Sequence, residues 1–174
     1  KENQILSVAR FDSPSHSKRQ DILIEAFRNF ASSYPDYKLV LAGGFMGDNE
    51  KLNNLKKIAG DLPVSFIVNP SFQELKDLYS KSRFFWHAAG YKINESTNPD
   101  QVEHFGMTTV EAISAGCIPL VINRGGQTEI LKDFQFLLCE DVLDFNTKTS
   151  EIISQKELYV NLSEKLKESI SVFS

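Results

Sequence analysis

Short apolar runs alternate along the chain with longer amphipathic ones. QILSVAR (4–10) is apolar at most positions, as in a strand covered on both faces. RQDILIEAFRNFASSY (19–34) sets Ile22, Leu23, Ala26, Phe27 and Phe30 at helical spacing. YKLVLAGG (37–44) predicts a strand closed by glycines, and DNEKLNNLKKIAG (48–60) a helix ended by Gly60. PVSFIVN (63–69) predicts a third strand. SFQELKDLYSKS (71–82) predicts a helix with Ser71 as N-cap and Glu74 at its third position, a capping box. RFFWHAAG (83–90) follows as a fourth strand and YKINESTNPDQVEH (91–104) as a polar loop. TTVEAISAG (108–116) predicts a helix, CIPLVIN (117–123) a strand, FQFLLC (134–139) a short strand and SQKELYVNLSEKLKESISVF (154–173) a final helix.

Nearly continuous apolar strands, each followed by a helix, predict a doubly wound, mostly parallel sheet of about six strands with helices on both faces. Residues 1–174 are expected to form one Rossmann-like domain, with 154–174 as its C-terminal helix. Sheets of this kind bind ligands beyond the carboxyl ends of their strands, so the residues after each strand are the ones to examine.

A length of 174 residues suffices for one domain with a real core. The net charge of −4 argues against a nucleic-acid binder. Cys117 and Cys139 lack metal-ligand spacing, and both sit in or beside apolar runs, which predicts small buried hydrophobes. No apolar run reaches membrane-spanning length, and no signal peptide is visible. The chain opens KENQILSV, without a methionine and directly before a strand, which points to a piece of a longer protein.

The first strand is followed by ARFDSPSHSKRQD. Arg10 stands at the strand end, and Lys18 and Arg19 open the next helix. Two cations meeting a helix N-terminus suit a diphosphate. A capping region with a surface lysine is the plainer alternative, though an arginine directly after a buried strand asks for an anionic partner. Neither the G-x-G-x-x-G turn of dinucleotide-binding domains nor the Walker lysine is present. Gly43, Gly44 and Gly47 after the second strand are ordinary turn residues.

Glu103 and Glu111 flank HFGMTTV, with seven residues between them. T-T-V-E reads as a capping box that explains Glu111 and leaves Glu103 without a structural reason. The HFGM segment before the helix offers free backbone N–H groups, and Gly106 allows a ligand to come close. A carboxylate at either end suits a ligand rich in hydroxyls. An anion cradle between two hydroxyl acceptors describes a nucleotide sugar. His16, His87 and His104 show no clustered ligand spacing.

These segments resemble the C-terminal, donor-binding domain of family-4 retaining glycosyltransferases of the GT-B fold. E-HFGMTTV-E is similar to that family's Glu-x7-Glu motif. AISAGCIPLVINRGGQTEI resembles the continuation that ends in a Gly-Gly-x-x-Glu turn. SVARFDSPSHSKRQDILIEAF, YKLVLAGG and ELKDLYSKSRFFWHAAGY are in register with it, so the likeness runs from Ile5 to Leu138. The resemblance implies that Arg10 and Lys18 hold the donor diphosphate, that Glu111 binds the nucleotide ribose, and that Glu103 contacts the transferred sugar and stabilises its oxocarbenium-like transition state. It implies further that His104, Phe105, Gly106, Met107 and Thr108 bind sugar and phosphates, and that the loop at Val68 and Asn69 meets the base.

The implied reaction is hexose transfer from a UDP- or GDP-sugar with retention, using no cofactor and no metal. The implied partners are the nucleotide sugar, a lipid-linked or saccharide acceptor and an N-terminal acceptor-binding domain absent from this chain; nucleic acid is not among them. The implied location is the cytoplasm, at the membrane face through the absent domain. The segment between Arg10 and Lys18 is longer than the family's common form, which leaves Lys18 and Arg19 as alternatives for the phosphate ligand. The final helix either packs toward the absent half or covers this domain. A non-catalytic sugar-nucleotide sensing domain is the competing reading, and a dehydrogenase-type domain is disfavoured by the missing glycine fingerprint.

Overall fold

A computed structural model describes residues 1–12, 18–47 and 49–173. The 13–17 segment, with His16, and the expected helix start at Asp48 lie outside the described residues, as does Ser174.

Six strands form one sheet in the order β3-β2-β1-β4-β5-β6: β1 (Glu2–Val8), β2 (Lys38–Gly43), β3 (Val64–Val68), β4 (Ser82–His87), β5 (Ile118–Ile122) and β6 (Leu138–Cys139). Every pairing is parallel. The order reverses between β1 and β4, so the connections leave these neighbours toward opposite faces and open a crevice at their carboxyl ends. The helices are α1 (Gln20–Ser33), α2 (Glu50–Ala59), α3 (Phe72–Lys81), α4 (Met107–Ser114), α5 (Gln127–Ile130), α6 (Val142–Ser154) and α7 (Lys156–Ser169).

The alternation along the strands sorts the core onto two faces. Ile5, Leu39, Leu41, Phe84, Trp86, Ile118 and Leu120 pack with Ile22, Leu23, Phe27 and Phe30 of α1 and Phe145 and Ile152 of α6. On the other face Leu6, Val8, Val40, Ala42 and Phe85 meet Tyr79 of α3 and Ala112 of α4. The capping box of α3 is present as the sequence predicts: the Glu74 amide donates to Ser71 Oγ at 3.2 Å and the Ser71 amide to Glu74 Oε2 at 2.7 Å.

Several local expectations change. The 83–90 strand ends at His87, where the chain turns. The 134–139 strand shrinks to Leu138–Cys139 behind a 3-10 turn at Gln135–Leu137. Helix α6 lies where the hydrophobic pattern predicts no element. Its polar Asn, Thr and Ser residues give it weak intrinsic propensity, but it is capped by Asp141, whose carboxylate accepts the Asp144 amide at 3.0 Å. It is then held by burial of Phe145, Thr149 and Ile152 and by a bond from Trp86 Nε1 to Thr149 Oγ1 at 3.2 Å.

The expected 154–173 helix is shorter: Ser154 ends α6, α7 spans Lys156–Ser169, and a 3-10 turn follows at Ile170–Phe173. Leu166 is buried in the main core, and Tyr159 meets Phe84 edge-on. Cys117 and Cys139 are free and buried, and burial pushes the Cys117 thiol up to about 11. No helix among the described residues is long and apolar enough to cross a membrane.

Candidate functional site

Residues from both sides of the β1/β4 crevice converge on one carboxylate. Glu103 comes from the long connection after β4, and its Oε2 accepts from Lys18 Nζ at 2.7 Å, just before α1. His87, the last residue of β4, brings its Nε2 to 3.4 Å from the same oxygen. With the proton on Nε2 the ring donates to Glu103. The ring is buried, stacks on Phe85, and its Nδ1 meets no hydrogen-bond partner among the described residues. The bond from His87 and then the one from Lys18 hold the Glu103 carboxyl at about 2, against the opposing pull of burial. Glu103 is therefore an anion at neutral pH. It can accept from hydroxyls or face developing positive charge, and it cannot serve as an acid there.

The backbone around Glu103 is pinned by the glycine turn that follows β5. The Gly126 amide donates to the Glu103 carbonyl at 2.6 Å, and the Gly125 amide to Glu95 Oε2 at 3.3 Å. A Cβ on Gly126 would overlap the His104 carbonyl, and one on Gly125 the Glu103 carbonyl. Glycine is required because the two loops touch backbone to backbone.

Helix α4 starts differently from the capping box read in the sequence. Its N-cap is Gly106, in the left-handed region with φ 65°, and no side chain caps the helix. Thr108 is the second helical residue and Glu111 the fifth, so Glu111 is free of any capping duty. Thr109 and Val110 both donate to the Gly106 carbonyl, which leaves the amides at the very start of the helix for a ligand. Phe105 and Met107 are exposed on either side of Gly106. His104 Nε2 lies 3.1 Å from the Pro99 carbonyl, where it braces the loop. Glu111 instead accepts from the Tyr79 hydroxyl of α3 at 2.8 Å.

The cations divide as well. Arg19 is tied into the fold by Asp21, at 3.0 Å, and by packing over the Tyr91 ring. Among the described residues, Lys18 pairs instead with Glu103. Arg10 finds the anionic partner that its place after a buried strand asks for within the chain itself, in Asp12 at 3.3 Å. Its side chain is nonetheless 63% exposed, and Asp12 also accepts the Met46 amide at 2.7 Å. Arg10, Lys18 and Lys51 line an open cavity of about 270 Å³ beside the crevice.

Val68 ends β3 partly exposed, and Asn69 has φ 51°. Both polar atoms of the Asn69 amide are used on the Phe45 backbone, accepting at 2.8 Å and donating at 3.1 Å. Its side chain ties the end of β3 to the segment after β2, with one donor and one acceptor position engaged.

The structure thus joins Lys18 to Glu103, sets Arg10 beside Lys18 in one cavity, and places Glu111 apart against α3. Sequence reasoning left out His87 and Tyr79. Each carried one signal, a polar group at the end of an apolar strand or within the apolar stripe of a helix.

The chain matches the family of glycosyl transferases group 1 over residues 1–169. The GDP-Man:Man(3)GlcNAc(2)-PP-Dol alpha-1,2-mannosyltransferase of Dictyostelium discoideum is 27% identical over 190 aligned positions, which cover 100% of this chain and 35% of that protein. The human protein of the same name is 29% identical, over 98% of this chain and 35% of its own length. The chain therefore spans about a third of the length of these relatives. Among solved structures, the C-terminal domain of a glycosyl transferase group 1 family protein (LpcC) from Francisella tularensis superposes with TM-score 0.73 at 18% identity, covering 98% of this chain and 86% of that one. WaaG, a glycosyltransferase involved in lipopolysaccharide biosynthesis, superposes with TM-score 0.68 at 18% identity, covering 96% of this chain and 42% of that one. With its six-stranded parallel Rossmann-like sheet and a match along nearly its whole length, the chain belongs to the group 1 glycosyl transferases.

Proposed function

We propose that the chain is the donor-binding half of a retaining mannosyltransferase that takes GDP-mannose and passes the mannosyl group to a lipid-linked saccharide. The observation that carries this reading is the Lys18–Glu103 pair at 2.7 Å, set at an uncapped helix N-terminus in the switch-point crevice. The relatives named above supply the donor and the acceptor class.

In this reading the donor diphosphate draws Lys18 away from Glu103, and Arg10 and the first amides of α4 share the charge of the leaving nucleotide. Glu103, held by His87, remains beside the transferred sugar, where an anion stabilises the positive charge that grows as the glycosidic bond breaks. Glu111 accepts from the ribose hydroxyls. The segment from His104 to Thr108 contacts sugar and phosphates through backbone groups. Backbone at Val68 and Asn69 faces the base. Two cations and a helix N-terminus serve the leaving group, so no metal is required. The acceptor domain completes the cleft from the opposite side, and the enzyme works at the cytoplasmic face of a membrane.

The test is transfer by the complete enzyme, with the anomeric configuration of the product read by NMR. Mannose moved from GDP-mannose with its configuration kept, in the presence of EDTA, is the expected result. Inversion removes the retaining mechanism, loss of transfer on chelation removes the metal-free one, and transfer only from a UDP-sugar moves the base. Donor binding without turnover by the complete protein favours a non-catalytic sugar-nucleotide-binding domain.

A further inference from the structure

We propose that Tyr79 is a positioning residue that sets the Glu111 carboxylate for a nucleotide ribose and thereby gives the site its preference for ribose over deoxyribose. The inference rests on the reading of Glu111 given above. Tyr79 belongs to α3 and is 5% exposed, whereas Glu111 stands on the exposed side of α4. The phenol hydroxyl lies 2.8 Å from Glu111 Oε2 and 3.5 Å from the Thr108 carbonyl, so its one proton is directed to the carboxylate.

Burial, with the adjacent Glu111, raises the phenol far above its ordinary range, and it stays a donor at every working pH. Tyr79 is itself fixed at both ends. Its ring packs at a tilt on Phe85, 6.2 Å between centroids, and its carbonyl accepts from Lys1 Nζ at 3.1 Å and Cys117 Sγ at 3.2 Å.

An unsupported glutamate on an exposed helix face samples several rotamers and must be ordered when a ligand binds. Anchoring one oxygen to a buried phenol removes that freedom and turns the other oxygen outward. A single carboxylate oxygen has two acceptor directions, enough for a vicinal diol and wasted on a sugar that lacks one of the two hydroxyls. Such a site rejects the deoxy analogue because a polar group is then left without its partner.

The experiment is calorimetric titration of the chain with GDP and with 2′-deoxy-GDP, in the parent, Tyr79→Phe, Glu111→Ala and the double variant. The parent is expected to prefer GDP by about tenfold or more. Tyr79→Phe, which removes one oxygen from a packed ring, is expected to weaken GDP binding by about five- to tenfold and to leave 2′-deoxy-GDP nearly unchanged, so that the preference collapses. The double variant should match Glu111→Ala alone.

If Tyr79→Phe keeps the parent's preference while Glu111→Ala loses it, or if the two losses simply add, Tyr79 has no positioning role. If Glu111→Ala keeps the preference, the ribose assignment of Glu111 has failed, and this inference with it. Absence of GDP binding by the parent defeats both.

Discussion

Glu103→Gln in the complete enzyme is expected to lower kcat by about 10²–10³, the scale seen when one preorganised charge-stabilising group is removed. Donor affinity should hold or rise. In the free chain Lys18 is spent on Glu103, and a neutral glutamine releases it to the diphosphate without competition. Turnover and single-turnover donor binding, measured side by side, check this, and equal losses in both would contradict the role given to Glu103.

The same variant has a second readout in the acid stability of the chain. The folded Glu103 carboxyl sits at about 2, below its ordinary 4.5. A depressed carboxyl contributes stability that is fully present above the unfolded value and lost as pH falls toward the folded one. The window is therefore from about pH 4.5 down to about pH 2, and the contribution is at most about 3 kcal/mol. Denaturant titrations across this window should show a flatter acid limb in Glu103→Gln than in the parent. Parallel limbs would mean that the carboxylate is not held by Lys18 and His87.

Gly126→Ala is expected to damage both the fold and the site. Its φ of −63° suits any residue, so the penalty comes from the backbone contact alone. The new methyl group would overlap the His104 carbonyl, and Gly126 must keep donating to Glu103. Separating the two loops should cost about 1–3 kcal/mol of stability, as overpacking generally does. It should also displace Glu103 enough to lower turnover by about 10²-fold, the cost of misplacing a catalytic group by about 1 Å. Gly47→Ala is the control, because a Cβ there meets nothing nearer than 3.5 Å. Thermal unfolding and turnover of the two variants settle the comparison, and similar behaviour would show that the glycine turn does not hold the site.

Much of this molecule is legible in its sequence because its strands and helices obey local rules. Apolar runs mark the central strands and the capping box marks α3. The motif from Glu103 to Glu111 places the start of α4 to within a residue. Helix α6 escapes the reading because its polar composition hides a stripe that only tertiary burial makes helical.

The site is legible as a set of residue types and much less so as a set of partnerships. Arg10 looks unpaired until Asp12 is seen beside it. Glu111 looks like a cap until the helix is seen to begin at Gly106. Arg19 and Lys18 look equivalent until Asp21 and Tyr91 claim the first. His87 and Tyr79 act on carboxylates 16 and 32 residues away, across strand ends and helix faces that no local pattern connects.

If the crevice at the ends of β1 and β4 is a nucleotide-sugar site, an amide NMR titration of the labelled chain with GDP-mannose will map to it. Shifts should concentrate at Lys18, Gly44, Phe45 and the segment from Gly106 to Thr109, and Lys18→Ala should suppress them. Shifts centred elsewhere on the chain, or none at millimolar donor, would contradict that assignment of the crevice.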